Sequence, residues 1–318
     1  MDKKKISIVV PMYNEQETVG ILYRELNKVS RELVNNEMEF LFVNDGSKDA
    51  TLEEIKDLAS KDERVRYVSF SRNFGKEAAL YAGLSNAAGD YVAVMDADLQ
   101  DPPALLPKMV QMLDSGQCDN VATRRVTRRG EPPIRSFCAR CFYKLMRRLS
   151  NVDIADGARD YRLMKREMVE SVLSVSEYNR FSKGIFAWVG YETKWLEYEN
   201  VERAAGETKW SFFKLVRYSI DGMMNFSDQS LRISSFLGLF FTVLSFLAIV
   251  VEVIRALVFG DPVAGWPSLV CIITFMGGIQ LFCMGIMGQY IAKTYMEVKN
   301  RPHYIIRETN IVSARKNN

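Results

Sequence analysis

Two long runs without a charged side chain do most to limit what this chain can fold into. No charge occurs from Ile233 to Val251, and none from Trp266 to Ala292. Each run is long enough to cross a hydrocarbon core of roughly 30 Å, which takes about 20 helical residues. Two buried helices of a soluble core are the alternative, but these runs leave few polar positions for any outer face. Glu252, Arg255 and the short loop Gly260-Asp261-Pro262-Val263-Ala264-Gly265 lie between them. The pattern predicts a helical hairpin over 232–296, with spans at about 233–258 and 266–292 and both outer ends on one side of a membrane. Lys209, Lys214, Arg217 and Arg232 precede the first run, and Lys293, Lys299, Arg301, Arg307, Arg315 and Lys316 follow the second. The connecting loop has neither Lys nor Arg, so the bulk of the protein and both termini are expected in the cytoplasm, at a cell membrane crossed more than once. Met1-Asp2-Lys3-Lys4-Lys5 leads straight into a strand-like run, so no secretory signal is expected.

The rest of the chain reads as a soluble domain. Strand-like and helix-like patterns alternate. Ile6–Val10, Phe40–Val43, Val65–Phe70 and Tyr91–Met95 are short apolar runs; between them, Glu15–Val34, the stretch from Leu52 to Ala59 and Lys76–Ala88 carry helical spacing. This βαβαβαβ order predicts an α/β fold with a mostly parallel sheet and right-handed crossovers. Ligands of such sheets bind beyond the carboxyl ends of the strands. The polar clusters fall at those ends: Pro11-Met12-Tyr13-Asn14-Glu15, Asn44-Asp45-Gly46-Ser47, Ser71-Arg72-Asn73-Phe74-Gly75-Lys76 and Asp96-Ala97-Asp98. The expected divisions are a catalytic domain over 1–208, a juxtamembrane amphipathic helix over 209–231, the hairpin over 232–296 and a cytoplasmic tail over 297–318.

Asp96 and Asp98 stand two residues apart at a strand end, before a turn forced by Pro102 and Pro103. Such a pair suits Mg²⁺ or Mn²⁺, which bind through one or two carboxylates and take their other ligands from water and substrate phosphates. A solvated acidic turn is the alternative for the tripeptide alone. No GxGxxG or Walker loop is present, so phosphates must be met by metal and basic side chains. The only histidine is His303, which makes histidine triads and histidine metal sites improbable. Cys138-Ala139-Arg140-Cys141 has CxxC form without a second ligand pair and reads as two helix thiols. A net charge of +3 gives no sign of a nucleic-acid partner. Arg135–Leu149 and Trp210–Phe226 are basic amphipathic stretches, expected to lie in the interface against membrane lipids.

Taken in order, VVPMYNE, VNDGSKD, SRNFGKEAAL, DADLQDPP, DGARDYRL, RFSKG and GETKW, followed by two spans, resemble the polyprenyl-phosphate glycosyltransferases. These are glycosyltransferase family 2 enzymes with a GT-A, Rossmann-like fold, of the bactoprenol glucosyltransferase type and related to dolichol-phosphate mannose synthase. The likeness runs from about Ile6 to Met296. It implies inverting transfer of a sugar, glucose or N-acetylglucosamine, from a UDP-sugar to polyprenyl (undecaprenyl) phosphate for cell-envelope glycans. It also implies a homo-oligomer, a tetramer, for which Gly277, Gly278, Gly285 and Gly288 would permit close helix contact. A processive polysaccharide synthase and an inactive membrane-anchored scaffold or sensor are the alternatives.

By the same resemblance Pro11, Asn14, Glu15 and Asp45 hold the nucleotide, and Asp96 and Asp98 hold the metal at the donor diphosphate. Asp45 could instead cap the helix at Thr51. The carboxylate of the family's Gly-Asp-Phe-Arg-Leu element falls on Asp160, with Arg159 replacing the glycine and Asp156 as the runner-up. Arg203 and Lys209 are expected to face phosphate. Lys76 and Arg180 are further anion-contact candidates, with plain surface charge as the alternative. A lipid phosphate monoester has a second pKa of about 6 and is mostly dianionic at pH 7. Asp160 is therefore expected to orient the acceptor rather than to deprotonate it, with a general base as the alternative and with Arg159 and Arg162 offsetting the repulsion.

Overall fold

In a computed structural model the described residues are 3–125, 158–198 and 265–312, with scattered positions between 231 and 258. One eight-stranded sheet organises them. In chain order the elements are β1 (Lys5–Met12), α1 (Gln16–Glu32), β2 (Glu37–Asn44), α2 (Thr51–Lys61), β3 (Val65–Phe70), α3 (Lys76–Asn86), β4 (Tyr91–Val94), α4 (Leu106–Asp114) and β5 (Asn120–Arg125). After the break come β6 (Ala158–Lys165), α5 (Arg166–Ser174), α6 (Ser182–Trp188), β7 (Thr193–Tyr198), α7 (Trp266–Val298) and β8 (Ile306–Thr309). The strand order is β7-β5-β6-β4-β1-β2-β3-β8.

The alternating pattern gives the expected parallel block, β3-β2-β1-β4. Its strands are nearly continuous apolar runs because helices cover both faces. One face packs Ile6, Ile8 and Val10 with Val19, Leu22 and Leu26 of α1; the other packs Val9, Leu41 and Val43 with α3. α3 approaches closely because it is built from Ala78, Ala79, Ala82 and Gly83. A Cβ on Gly83 would run into Val9 and lie 3.3 Å from the Cγ2 of Val43. That close approach sets the first residue of α3, Lys76, at the carboxyl edge of the sheet.

β6 pairs antiparallel to β4, with Val94 opposite Arg162 and Tyr91 opposite Lys165. Its first residues therefore lie at the same edge as the last residues of β4. β8 also runs antiparallel, against β3. The residues after α7, read from sequence only as a tail, thus complete the sheet. Tyr304 is buried and stacks on Phe70 at 5.0 Å, the Ser71 N–H donates to the Ile305 carbonyl at 3.0 Å, and Asn310 brackets Tyr67 and Val65.

α7 runs past the expected end at residue 292 to Val298. Over Phe275–Val298 it is long and apolar enough to cross a membrane, the one such helix among the described residues. The described positions of the first apolar run are helical. Contacts between described residues join it to α7: Phe241 meets Phe275 with ring centroids 5.4 Å apart, and the Cys283 thiol lies 3.7 Å from the Ser234 carbonyl. Both expected amphipathic stretches, the CxxC pair, Asp156, Arg203 and Lys209 lie outside the described residues.

Candidate active site

Four loops leave the carboxyl ends of β1, β2, β3 and β4, and the start of β6 joins them. The first two are clipped together. Asn14 holds a left-handed backbone, φ 54°; its N–H donates to Ser47 Oγ at 2.9 Å and its side-chain oxygen accepts from the Lys48 N–H at 2.9 Å. The Glu15 N–H donates to Thr51 Oγ1 at 2.8 Å. Pro11 sits in register with Val43 at the end of β1.

Asp45 is buried, and its carboxylate accepts the Phe74 N–H at 2.6 Å, the Gly75 N–H at 2.9 Å and the Asn73 amide at 2.9 Å. The capping role that Asp45 could have taken belongs to Asp49, whose Oδ1 accepts from the Thr51 N–H and hydroxyl. Burial raises the Asp45 pKa to about 6, against the two backbone N–H bonds and the nearby charge of Arg72. Gly46 makes this join possible. At φ +64° it lies so close to the β3–α3 loop that a Cβ would stand 2.7 Å from the Asn73 nitrogen.

Lys76 occupies the centre. Its ammonium is 2.6 Å from Asp96 Oδ1 and 2.6 Å from Asp160 Oδ2. One lysine thus bridges the first carboxylate of the acidic motif and the carboxylate of the DYRL element, 64 positions apart in sequence. Burial works against the Asp160 charge, but Lys76, then Lys183 and Arg162, outweigh it and hold the carboxyl well below the usual range. Burial also lowers the Arg162 pKa to about 10, with Asp160 opposing; its guanidinium lies 3.8 Å from the centroid of Phe186. Asp98 accepts the Gln100 N–H at 3.2 Å, and Leu99 between them takes φ 57°.

Two arginines are committed elsewhere. Arg159 donates to Asp101 Oδ1 at 3.0 Å and to the Gln100 side chain at 3.4 Å, and the Tyr198 hydroxyl also bonds Asp101. Arg159 therefore ties the loop after β4 to β6. Arg180 donates to the carbonyls of Val172 in the last turn of α5 and Val175 just after it, and lies 4.5 Å from the centroid of Tyr81. Sequence reading missed Asp101, whose third place in the acidic motif was visible, and Lys183 in the RFSKG motif, whose charge was. The partners of neither were.

The family model described as glycosyl transferase family 2 matches residues 7–173. A putative glycosyltransferase, CsbB, of Bacillus subtilis is 42% identical over 98% of this chain and 94% of its own length. The SfII prophage-derived bactoprenol glucosyl transferase of Shigella flexneri is 44% identical over 96% of this chain and 98% of its own. Among solved structures, the glucosyl-3-phosphoglycerate synthase of Mycobacterium tuberculosis with Mn²⁺, UDP-glucose and phosphoglyceric acid superposes with a TM-score of 0.45 at 22% identity, covering 68% of this chain and 76% of that one.

Proposed function

This chain belongs to glycosyl transferase family 2, and from that premise we propose that it transfers glucose from UDP-glucose to a polyprenyl phosphate at the cytoplasmic face of a membrane. The observation that carries the reading is the Lys76 bridge, which brings the acidic motif and Asp160 to one point at the carboxyl edge of the sheet. The bactoprenol glucosyl transferases among its relatives support the sugar and the acceptor.

The residues fit a Mg²⁺ or Mn²⁺ ion held by Asp96 and Asp98. Asp96 already faces a cation, the ammonium of Lys76. No cluster of three or more His, Cys, Asp or Glu side chains among the described residues forms a closed ligand set. That suits an ion that keeps positions for water and a diphosphate. When bound, the ion would neutralise charge developing on the leaving diphosphate. The loops at Pro11, Asn14, Glu15 and Asp45 hold the nucleotide. A phosphate oxygen of the acceptor attacks the anomeric carbon; the bond from that carbon to the diphosphate oxygen breaks, its electron pair leaves with UDP, and the configuration inverts. Asp160 is held ionised by Lys76, and the acceptor arrives mostly dianionic, so Asp160 takes no proton and acts by holding the Lys76 ammonium in place.

The membrane keeps the cleft beside the acceptor's headgroup. Phe241 against Phe275 and Ser234 against Cys283 pair rising numbers with falling ones, which supports an antiparallel two-span hairpin. The pairing of β8 with β3 supports a tail on the same side as the catalytic sheet. Arg203 and Lys209, outside the described residues, are proposed phosphate contacts on the sequence resemblance alone, and a homo-oligomer is proposed to pack through the second span.

The test uses membranes containing the protein, labelled UDP-glucose, undecaprenyl phosphate and Mg²⁺. Lipid-extractable label is expected; it should vanish in Asp96→Ala and Asp98→Ala and remain measurable in Asp160→Asn. Full transfer by Asp98→Ala would remove the metal assignment, and polymer in place of glycolipid would replace the reading with a synthase.

A further inference from the structure

The RFSKG stretch takes no part in the proposed donor site, yet it packs directly on the strand that carries Asp160. Ala158, Asp160 and Arg162 share one face of β6, because alternate strand residues point the same way. α6 meets the strand at the first and last of these positions, and α3 at the middle one. The Lys183 ammonium donates to the Ala158 carbonyl at 3.3 Å, and the ring of Phe186 stacks on Arg162. Between them, Asp160 takes its bond from Lys76. The first turn of α6 is fixed to the first turn of α3: the Ser182 N–H donates to Glu77 Oε2 at 2.9 Å, and the Ser182 hydroxyl bonds the same oxygen. Lys183 therefore sits at a junction of three elements and not on a loose surface turn.

A dianionic acceptor beside Asp160 needs cations with donors to give. Lys76 is divided between Asp96 and Asp160, Arg159 is taken by Asp101 and Gln100, and Arg180 by backbone carbonyls. Lys183 makes a single long bond among the described residues, while an ammonium has three N–H donors. The Nε of Arg162 is buried and has no partner among the described residues. We infer that Lys183, with Arg162 behind it, binds the acceptor's phosphate monoester beside Asp160. This rests on the polyprenyl-phosphate reading above and adds the residues that receive the headgroup. The donor diphosphate offers the same phosphate chemistry, so the experiment must separate the two.

Steady-state transfer is measured for the full-length protein in detergent, varying undecaprenyl phosphate and UDP-glucose in turn. Losing one charge-assisted hydrogen bond should raise the acceptor KM of Lys183→Ala about 10- to 100-fold, with the donor KM within about twofold of wild type. Lys183→Arg should recover most of the acceptor affinity, which a packing defect would not do. Should Lys183→Ala fail to fold, Lys183→Gln is read in the same way. An unchanged acceptor KM, a donor KM raised as much as the acceptor's, or no recovery by arginine overturns the assignment while wild-type transfer stands. Absence of transfer by the wild type to any polyprenyl phosphate defeats the parent reading, and this one with it.

Discussion

By resemblance Arg159 stands where the family pattern has a glycine, and its contacts have a measurable consequence. The Asp101 side chain is fully buried in contact with Arg159, whose own side chain is 23% exposed. One carboxylate oxygen takes Arg159 and the Tyr198 hydroxyl; the other is buried without a partner among the described residues. Burial raises the Asp101 pKa, and the Arg159 charge is the largest influence opposing it. Arg159→Ala therefore leaves a buried carboxylate with no counter-charge, a change that costs about 3–5 kcal/mol. Asp101→Asn should cost less, because it keeps an acceptor for Tyr198 and leaves an arginine that can turn toward water. In the double variant Arg159→Met/Asp101→Asn no charge remains, and a coupling of about 2–3 kcal/mol is expected between the two sites. The assay is denaturant unfolding in detergent, followed by tryptophan fluorescence. Its sign against pH is also set. Without Arg159 the native carboxyl binds its proton more tightly than the unfolded one, so stability is retained at low pH and lost as pH rises. The defect should be milder at pH 5 than at pH 8. If Arg159→Ala falls within about 0.5 kcal/mol of wild type, as an ordinary surface substitution does, the buried pair is not holding this loop.

Gly46→Ala should destabilise by about 2–4 kcal/mol, from a left-handed backbone and an overpacked contact with residues 72 and 73. It should also weaken UDP binding, since the displaced loop fixes Asp45 through the Phe74 and Gly75 N–H groups; wild-type melting and UDP titration curves would refute this. Asp45 titrates near 6 in the fold against an ordinary 3.8, a gap worth about 3 kcal/mol. Because the folded value is the higher one, this contribution is present below 3.8 and lost as pH rises through about 6. Asp45→Asn should flatten the stability profile across that window, and an unaltered slope would count against the assignment.

Much of this protein is legible without coordinates. A strand buried on both faces reads as a short, nearly continuous apolar run, so Ile6–Val10 and Phe40–Val43 announce themselves, as does the spacing of Val19, Leu22 and Leu26 on α1. The same logic places the polar clusters at strand ends and marks α7 by the lack of charge from Trp266 to Ala292. β8 is different. Ile306-Arg307-Glu308-Thr309 has no apolar run, and its partner strand lies more than 230 positions away. Only an exposed sheet edge beside β3 makes it a strand.

The chemistry divides along the same line. Residue types and short spacings marked the acidic motif, and the family resemblance pointed to the DYRL carboxylate, because both depend on neighbours in sequence. Tertiary packing decided which charge meets which: Lys76 with Asp96 and Asp160, Arg159 with Asp101, Lys183 with the Ala158 carbonyl. A charge reaches only a few ångströms through hydrogen bonds, and chain separation does not report that distance. The order of elements was therefore written locally, and the assignment of cations to carboxylates was settled when the sheet brought its carboxyl ends together.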